Sequence, residues 1–280
     1  MLKFDSIKPL KAFLKENASK SIGFVPTMGA LHKGHLALIE NAKSICDIVI
    51  CSIFVNPKQF NKKADLINYP NTIDRDLINL NAVECDVVFI PSVEEIYPKH
   101  LEEKTYDFGN LAIEMEGRHR PGHFNGVGQV IDRFFEIINP DYAFFGEKDF
   151  QQLAIVKSLV NQKKLNVKIV GCPTVREDSG LAMSSRNERL TNEEKLAASK
   201  IHDCLLYVSK NKANYSVEDL RNYFIKEIDS TPHLKTEYFE IADGNTLEKI
   251  HNWSESNLPH AFTAVNVRDV RLIDNMPINP

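Results

Sequence analysis

Along the first half of the chain the apolar positions change period again and again. Ser21–Val25 reads as a short strand, and Gly34–Cys46 places Leu36, Leu38, Ile39, Ala42 and Ile45 at helical spacing. Asp47–Val55 is an almost unbroken apolar run, as expected of a strand buried on both faces. The alternation then repeats. Thr72–Val83 is a helix with Thr72 as its candidate cap, and Asp86–Ile90 is a strand stopped by Pro91. Phe124–Ile138 and Phe150–Lys163 read as helices, with Tyr142–Phe145 and Val167–Val170 as strands. Strands separated by helices predict an α/β fold with a doubly wound parallel sheet and right-handed crossovers. Ligands of such sheets sit at the carboxyl ends of the strands, where Met28, Asn56 and Gly146 fall.

Beyond Gly171-Cys172-Pro173 the pattern changes. Helices are expected over Asn192–Ser209 and Val217–Ile228, then strands over Lys235–Ile241, Phe262–Val267 and Val270–Ile273. The expected organisation is a Rossmann-like domain over 1–174 and a smaller α+β lid domain over 175–280. The polar stretch Asn61–Pro70 reads as a loop.

Composition narrows the function classes. A chain of 280 residues, 43% hydrophobic, is long enough to bury two cores. A net charge of −4 argues against a general nucleic-acid binder. The longest apolar run, around Ile48–Val55, is too short to span a bilayer, and Met1-Leu2-Lys3-Phe4-Asp5 lacks the pattern of a secretion signal. A soluble cytoplasmic protein is expected. Cys46, Cys51, Cys85, Cys172 and Cys204 form no C-x-x-C and sit at no ligand spacing from histidine, so they read as buried thiols.

Four motifs follow strand ends. In Met28-Gly29-Ala30-Leu31-His32-Lys33-Gly34-His35, two glycines admit a close ligand, and the following helix offers unpaired N–H groups and a positive dipole end. That arrangement holds phosphate, and the imidazoles add donors that can be neutral near pH 7. In Asn56-Pro57-Lys58-Gln59-Phe60, Pro57 fixes a turn that aims Gln59 back over the sheet; its amide offers a donor and an acceptor to a hydroxy acid. A plain polar loop is the alternative reading. In Gly146-Glu147-Lys148-Asp149-Phe150-Gln151-Gln152, Lys148 can neutralise phosphate, and Asp149 can cap the helix or help hold Mg²⁺. In Val175–Asn187, Ser184 and Ser185 beside Arg186 make a phosphate-binding set, and no G-x-S-x-G marks either serine as a nucleophile. The chain carries neither G-x-x-x-x-G-K-[ST] nor G-x-G-x-x-G.

Together these motifs resemble the pantoate–β-alanine ligase (pantothenate synthetase) family of the HxGH nucleotidyltransferase superfamily. The shared strings are P-T-M-G-A-L-H-x-G-H, F-V-N-P-x-Q-F, G-E-K-D-x-Q-Q and G-L-A-M-S-S-R-N, with Tyr69-Pro70, Pro91–Pro98 and Arg120-Pro121-Gly122-His123-Phe124 as further matches. The chain departs at Lys33, where many members have glutamate, at Gly128-Gln129, and in Glu116–His119. The resemblance implies ATP-dependent condensation of (R)-pantoate with β-alanine through an enzyme-bound pantoyl adenylate, releasing AMP and pyrophosphate. It implies ATP contacts from Met28, Gly29, Ala30, Leu31, His32, Lys33, Gly34 and His35, from Gly146, Glu147, Lys148 and Asp149, and from Val175, Met183, Ser184, Ser185 and Arg186. Gln59 and Gln152 would hold pantoate, Gln59 would also meet β-alanine, and His35, Lys148 and Arg186 would be catalytic. Mg²⁺ near Asp149 and a homodimer are further implications. Another nucleotidyltransferase of the superfamily would share the two-histidine turn but would leave the glutamine motifs unexplained. A non-catalytic nucleotide sensor would have lost catalytic side chains, and none is missing.

Overall fold

A computed structural model describes residues 1–61 and 63–278 and divides into two units. The first comprises residues 1–147 and 152–173, and the second 148–151 and 174–280. In chain order the first carries β1 (Leu2–Phe4), α1 (Ile7–Glu16), β2 (Ile22–Thr27), α2 (Lys33–Lys43) and β3 (Ile48–Ile53). There follow α3 (Lys63–Ile67), α4 (Ile73–Ala82), β4 (Val87–Phe89), α5 (Val93–Ile96) and α6 (Glu116–His119). Then come α7 (His123–Ile138), β5 (Tyr142–Gly146), α8 (Phe150–Lys163) and β6 (Lys168–Cys172).

The strands form one parallel sheet in the order β1-β4-β3-β2-β5-β6. Every residue of β3 is buried, as its apolar run predicts. Alternation splits the strand residues between two cores: Ile22, Phe24, Ile48 and Ile50 join one, and Val25, Val49, Cys51 and Ile53 join the other. Phe134 of α7 anchors the first, with its ring centroid 5.3 Å from Phe24, 6.0 Å from Phe54 and 6.3 Å from Phe89. Burying each such side chain is worth roughly 1.5–3 kcal/mol, so the aromatic core is a major stabilising term of this unit.

Strand order reverses between β2 and β5, and a proline inside β2 marks the place. Even-numbered residues of β2 turn their backbone groups toward β5, as when Asp141 N–H donates to the Ile22 carbonyl; odd-numbered ones serve β3. Pro26 therefore faces β5 with no N–H to offer, and β2–β5 pairing ends at Phe24. β2 continues with β3 as far as Thr27. The strands part at a topological switch point, the place where open α/β sheets receive ligands.

Several expectations change. β1 and α1 were not anticipated; three strand residues show no period, whereas Ile7, Leu10, Phe13 and Leu14 of α1 do lie at helical spacing and pack in the core, a legible signal that was passed over. Part of the Asn61–Pro70 loop is helical as α3, with position 62 outside the described residues. Thr72 stands at the N-cap of α4 but caps no backbone N–H; its hydroxyl donates to Asp76 Oδ1 at 3.2 Å. Asp149 closes a 3-10 turn, and α8 starts at Phe150. All five cysteines are free and buried. Among the described residues no helix is long and apolar enough to cross a membrane.

The second unit holds α9 (Asn192–Lys210), α10 (Val217–Asp229), β7 (Leu234–Asp243), β8 (Pro259–Val267) and β9 (Val270–Pro277). The strands form an antiparallel sheet in the order β7-β8-β9. Capping boxes start both helices: Thr191 Oγ1 accepts from Glu194 N–H at 3.2 Å, and Ser216 Oγ from Asp219 N–H at 3.1 Å. The helices cover one sheet face, where Phe224 stacks on Phe239 at 4.0 Å within a core that includes Ile201, Leu205, Ile241 and Val265.

Two glycines of α7 are required by what lies against them. A Cβ on Gly126 would stand 2.2 Å from the Lys58 carbonyl oxygen, so only glycine lets the Pro57–Gln59 turn rest on the helix. A Cβ on Gly128 would meet the Tyr106 and Phe108 rings at 3.0 Å, which gives glycine here a packing reason. Gly126→Ala is expected to lower stability by about 1–3 kcal/mol through overpacking, read from the urea midpoint. An unchanged midpoint would contradict the close approach.

Candidate active site

The two-histidine turn is built by a carboxylate distant in sequence. After β2 the backbone enters the left-handed region at Gly29 (φ 80°) and Ala30 (φ 50°), a conformation that needs holding at a residue with a side chain. Asp76 of α4, fully buried, supplies the hold. Its Oδ2 accepts from Ala30 N–H at 2.9 Å and its Oδ1 from Leu31 N–H at 2.7 Å. Thr27 adds a second tie, its hydroxyl donating to the Ser52 carbonyl at 2.6 Å and accepting from Gly29 N–H at 3.2 Å. A Cβ on Gly29 would press on the Asp76 carboxylate at 3.1 Å.

The histidines themselves start α2. His32, at the N-cap, accepts from Gly34 N–H on Nδ1 at 3.1 Å, and His35 accepts from His32 N–H on its own Nδ1 at 3.3 Å. Their ring centroids lie 4.0 Å apart. An Nδ1 that accepts carries no hydrogen, so each neutral ring bears its hydrogen on Nε2. The cap thereby fixes the tautomer and makes each Nε2 a donor without charging the ring. Lys33, between them, is exposed.

The Asn56–Phe60 turn belongs to the same unit. Asn56 knits it together, donating to Gln59 Oε1 at 3.2 Å and to the Gly126 carbonyl at 3.0 Å, and accepting from Tyr97 Oη at 3.0 Å. Gln59 is buried and donates through Nε2 to Met28 Sδ at 3.0 Å, which joins the first two motifs. Thioether sulfur is a weak acceptor, so that amide can exchange it for a better one. His123 holds the Gln59 backbone: its Nδ1 lies 2.8 Å from the Gln59 carbonyl and its Nε2 lies 3.1 Å from Arg120 Nη1. A carbonyl only accepts and a guanidinium only donates, so His123 carries its hydrogen on Nδ1. Gly146 closes β5, a Cβ there would meet nothing within 4 Å, and Glu147 follows it. Gln152 is half-buried in the first turn of α8.

The second unit holds the remaining residues. Lys148 Nζ lies 3.4 Å from Asp149 Oδ1. Met183 N–H donates to the Val175 carbonyl at 3.0 Å, and Arg176 pairs with Ala182, so these residues share a short antiparallel hairpin. Ser184 Oγ accepts from Arg186 N–H at 3.2 Å and starts the 3-10 turn that carries Ser185 and Arg186. Asn187 ties that turn back to the hairpin through the Ala182 carbonyl at 3.1 Å and Glu177 Oε1 at 3.1 Å. Among the described residues no three His, Cys, Asp or Glu side chains gather as a metal cage.

Comparison with known proteins decides the family. The Pantoate-beta-alanine ligase family model matches residues 3–277. The chain belongs to the pantoate–β-alanine ligase family. As a member it is an enzyme, a ligase. It is 46% identical over 275 residues to a pantothenate synthetase of Porphyromonas gingivalis, covering 98% of each chain. A pantothenate synthetase of Bacteroides fragilis is 45% identical over 273 residues, covering 97% of this chain and 96% of its own. Among solved structures, pantothenate synthetase from Thermus thermophilus superposes with a TM-score of 0.94 at 37% identity over 100% of both chains. Pantoate-beta-alanine ligase from Francisella tularensis, solved in complex with beta-gamma ATP and β-alanine, gives 0.82 at 38% identity over 99% of this chain and 97% of its own.

Sequence reasoning missed Asp76, Tyr97 and Arg120 as parts of the site, placed Asn56 at a strand end without its bonding role, and left His123 without a role. Asp76 had one available signal, an acidic residue on the buried face of an amphipathic helix. Asp76→Ala removes the carboxylate that accepts from two buried N–H groups and is expected to cost about 1–3 kcal/mol for each bond, with Asp76→Asn losing less because one acceptor remains. Chemical denaturation of the two variants checks this, and equal losses would contradict the paired acceptance.

Proposed function

We propose that this enzyme uses ATP to join (R)-pantoate to β-alanine through an enzyme-bound pantoyl adenylate. The observation that carries the reading is the histidine pair at the start of α2, whose Nδ1 atoms serve the helix cap and whose Nε2 atoms are the donors. A pantoate carboxylate oxygen attacks the α-phosphorus, the bond from that phosphorus to the bridging oxygen breaks, and pyrophosphate leaves. The β-alanine amine then attacks the acyl carbon, the bond from that carbon to the phosphate oxygen breaks, and AMP departs while the amine loses a proton. A free carboxylate resists attack by an amine, and the mixed anhydride supplies the missing leaving group. No covalent bond to the protein is needed, so positioning and charge stabilisation carry the catalysis.

In this reading the nucleotide-binding groups are Met28–His35, Gly146, Glu147, Lys148, Asp149, Val175, Met183, Ser184, Ser185 and Arg186. His35 donates to the departing pyrophosphate, and Lys148 and Arg186 stabilise the phosphate oxygens. Gln59 and Gln152 hold pantoate, and Gln59 also meets β-alanine. Asp149 is a half-exposed carboxylate beside Lys148, and among the described residues no group of three potential ligands gathers, which fits Mg²⁺ arriving on the triphosphate better than a metal held by the protein alone. When bound, the ion would neutralise phosphate charge. A homodimer in the cytoplasm accompanies this reading, and five buried free thiols suit a reducing compartment.

Incubation with ATP, Mg²⁺, pantoate and β-alanine is expected to yield AMP together with pantothenate, and omission of pantoate should abolish AMP formation. Lys148→Ala and His35→Ala should each slow adenylation roughly a hundredfold or more, equivalent to about 3 kcal/mol, with the fold intact. Near-normal pantoyl-adenylate formation by either purified variant would overturn its role. Gln59→Ala should raise the pantoate KM more than it lowers kcat; an unchanged KM would remove Gln59 from the pantoate site.

A further inference from the structure

Two adjacent residues of β9 hold both nucleotide-binding segments of the second unit. Successive strand residues point to opposite sheet faces. Asp274 lies on the face that α9 and α10 cover. There its carboxylate receives both Arg176 nitrogens, Nη1 at 2.6 Å and Nη2 at 2.9 Å, and Arg176 Nη1 also donates to the Gly180 carbonyl at 3.1 Å. Asp274 is thus fastened to the hairpin that carries Val175 and Met183. Asn275 points to the other face, where its Nδ2 donates to the Lys148 carbonyl at 2.9 Å. Its Oδ1 lies 2.8 Å from His260 Nε2 and can only accept, so the imidazole donates and fixes the amide's orientation. Burial holds His260 below the usual histidine range, in the neutral form. The His260 ring packs on Phe150 at 4.5 Å and on Phe262 at 4.7 Å, so the segment from Lys148 to Phe150 is seated on this sheet face by a hydrogen bond and by ring contacts. The Asn275 N–H donates to Asp274 Oδ1 at 2.8 Å, which locks the two arms to each other.

We propose that Asp274 and Asn275 are positioning residues that set Lys148 and the Val175–Arg186 hairpin in fixed relation, with His260 orienting the Asn275 amide. This rests on the reading that Lys148 serves the phosphates of ATP. Neither residue needs to touch substrate. A main-chain carbonyl held from a β-strand fixes the origin of the long lysine side chain, which starts from the middle of a 3-10 turn. The ion pair does the same for the hairpin.

The test is pantoate-dependent pyrophosphate exchange by Asn275→Ala, Lys148→Ala and the double variant, with β-alanine ligation measured separately from supplied pantoyl adenylate. Asn275→Ala is expected to lower kcat for exchange roughly tenfold to a hundredfold, as a misplaced catalytic group does, and to leave ligation of the supplied adenylate near normal. In the Lys148→Ala background the same change should add little, because the residue acts through the lysine. A rate loss that is fully additive in the double variant, or equal in both half-reactions, overturns the proposal. If Lys148→Ala is slow while Asn275→Ala matches the wild type, the proposal fails and the role of Lys148 stands. If Lys148→Ala is itself unimpaired, the underlying reading fails and the proposal falls with it. Should Asn275→Ala not fold, His260→Phe carries the same test, since it keeps the ring packing on Phe150 and removes only the donor to the amide. A wild-type exchange rate in that variant would count against the proposal.

Discussion

The buried carboxylate of Asp76 is the constraint on which the first unit's site depends. It binds two consecutive N–H groups of a turn that runs through left-handed backbone at Gly29 and Ala30. Without it both donors would lose this charged acceptor at the point where the chain leaves the sheet. With it, α2 starts in one place, and the two imidazoles can spend their Nδ1 atoms on the cap. The histidine tautomers follow from the cap, and the cap follows from the turn. Asp76 thus reaches the chemistry through backbone, without contributing a donor of its own.

The sheet opens at the same level for a related reason. Pro26 has no N–H for the β5 side, so β2 stops pairing with β5 while it continues with β3. On the other side of β2, the turn after β3 is pressed against α7 at a glycine, and Asn56, Tyr97 and His123 hold Gln59 in place. The polar groups that would meet a small hydroxy acid are therefore held in advance, which lowers the entropy lost when substrate binds. The second unit uses a different device for the same end, with one dipeptide of β9 gripping a segment on each face of its sheet.

Much of this was legible in the chain before any coordinates. The long helices α7, α8 and α9 and the buried strand β3 carry enough apolar residues to reveal period, and α8 falls on Phe150–Lys163 as expected. The four motifs also stood out, because glycine, histidine and asparagine at strand ends have local reasons for being there. What stayed hidden depends on partners far away in the sequence. Asp76 meets residues 45 and 46 positions before it, and Asn275 meets one 127 positions before it. A lone Asp in a helix or an Asn near the end of a strand carries no mark of that. Short elements such as β1 and α3 were missed because their stability comes from neighbours, and three to five residues cannot show a period.

The account stands on the formation of an acyl phosphate anhydride between pantoate and AMP. Pantoate labelled with heavy oxygen in its carboxylate tests this directly, with AMP and pantothenate from one turnover analysed by mass spectrometry. If the carboxylate attacks the α-phosphorus and β-alanine then displaces AMP at the acyl carbon, one labelled oxygen stays on the AMP phosphate and the other stays in the new amide. Unlabelled AMP, with the displaced labelled oxygen in pyrophosphate, inorganic phosphate or water, would contradict it.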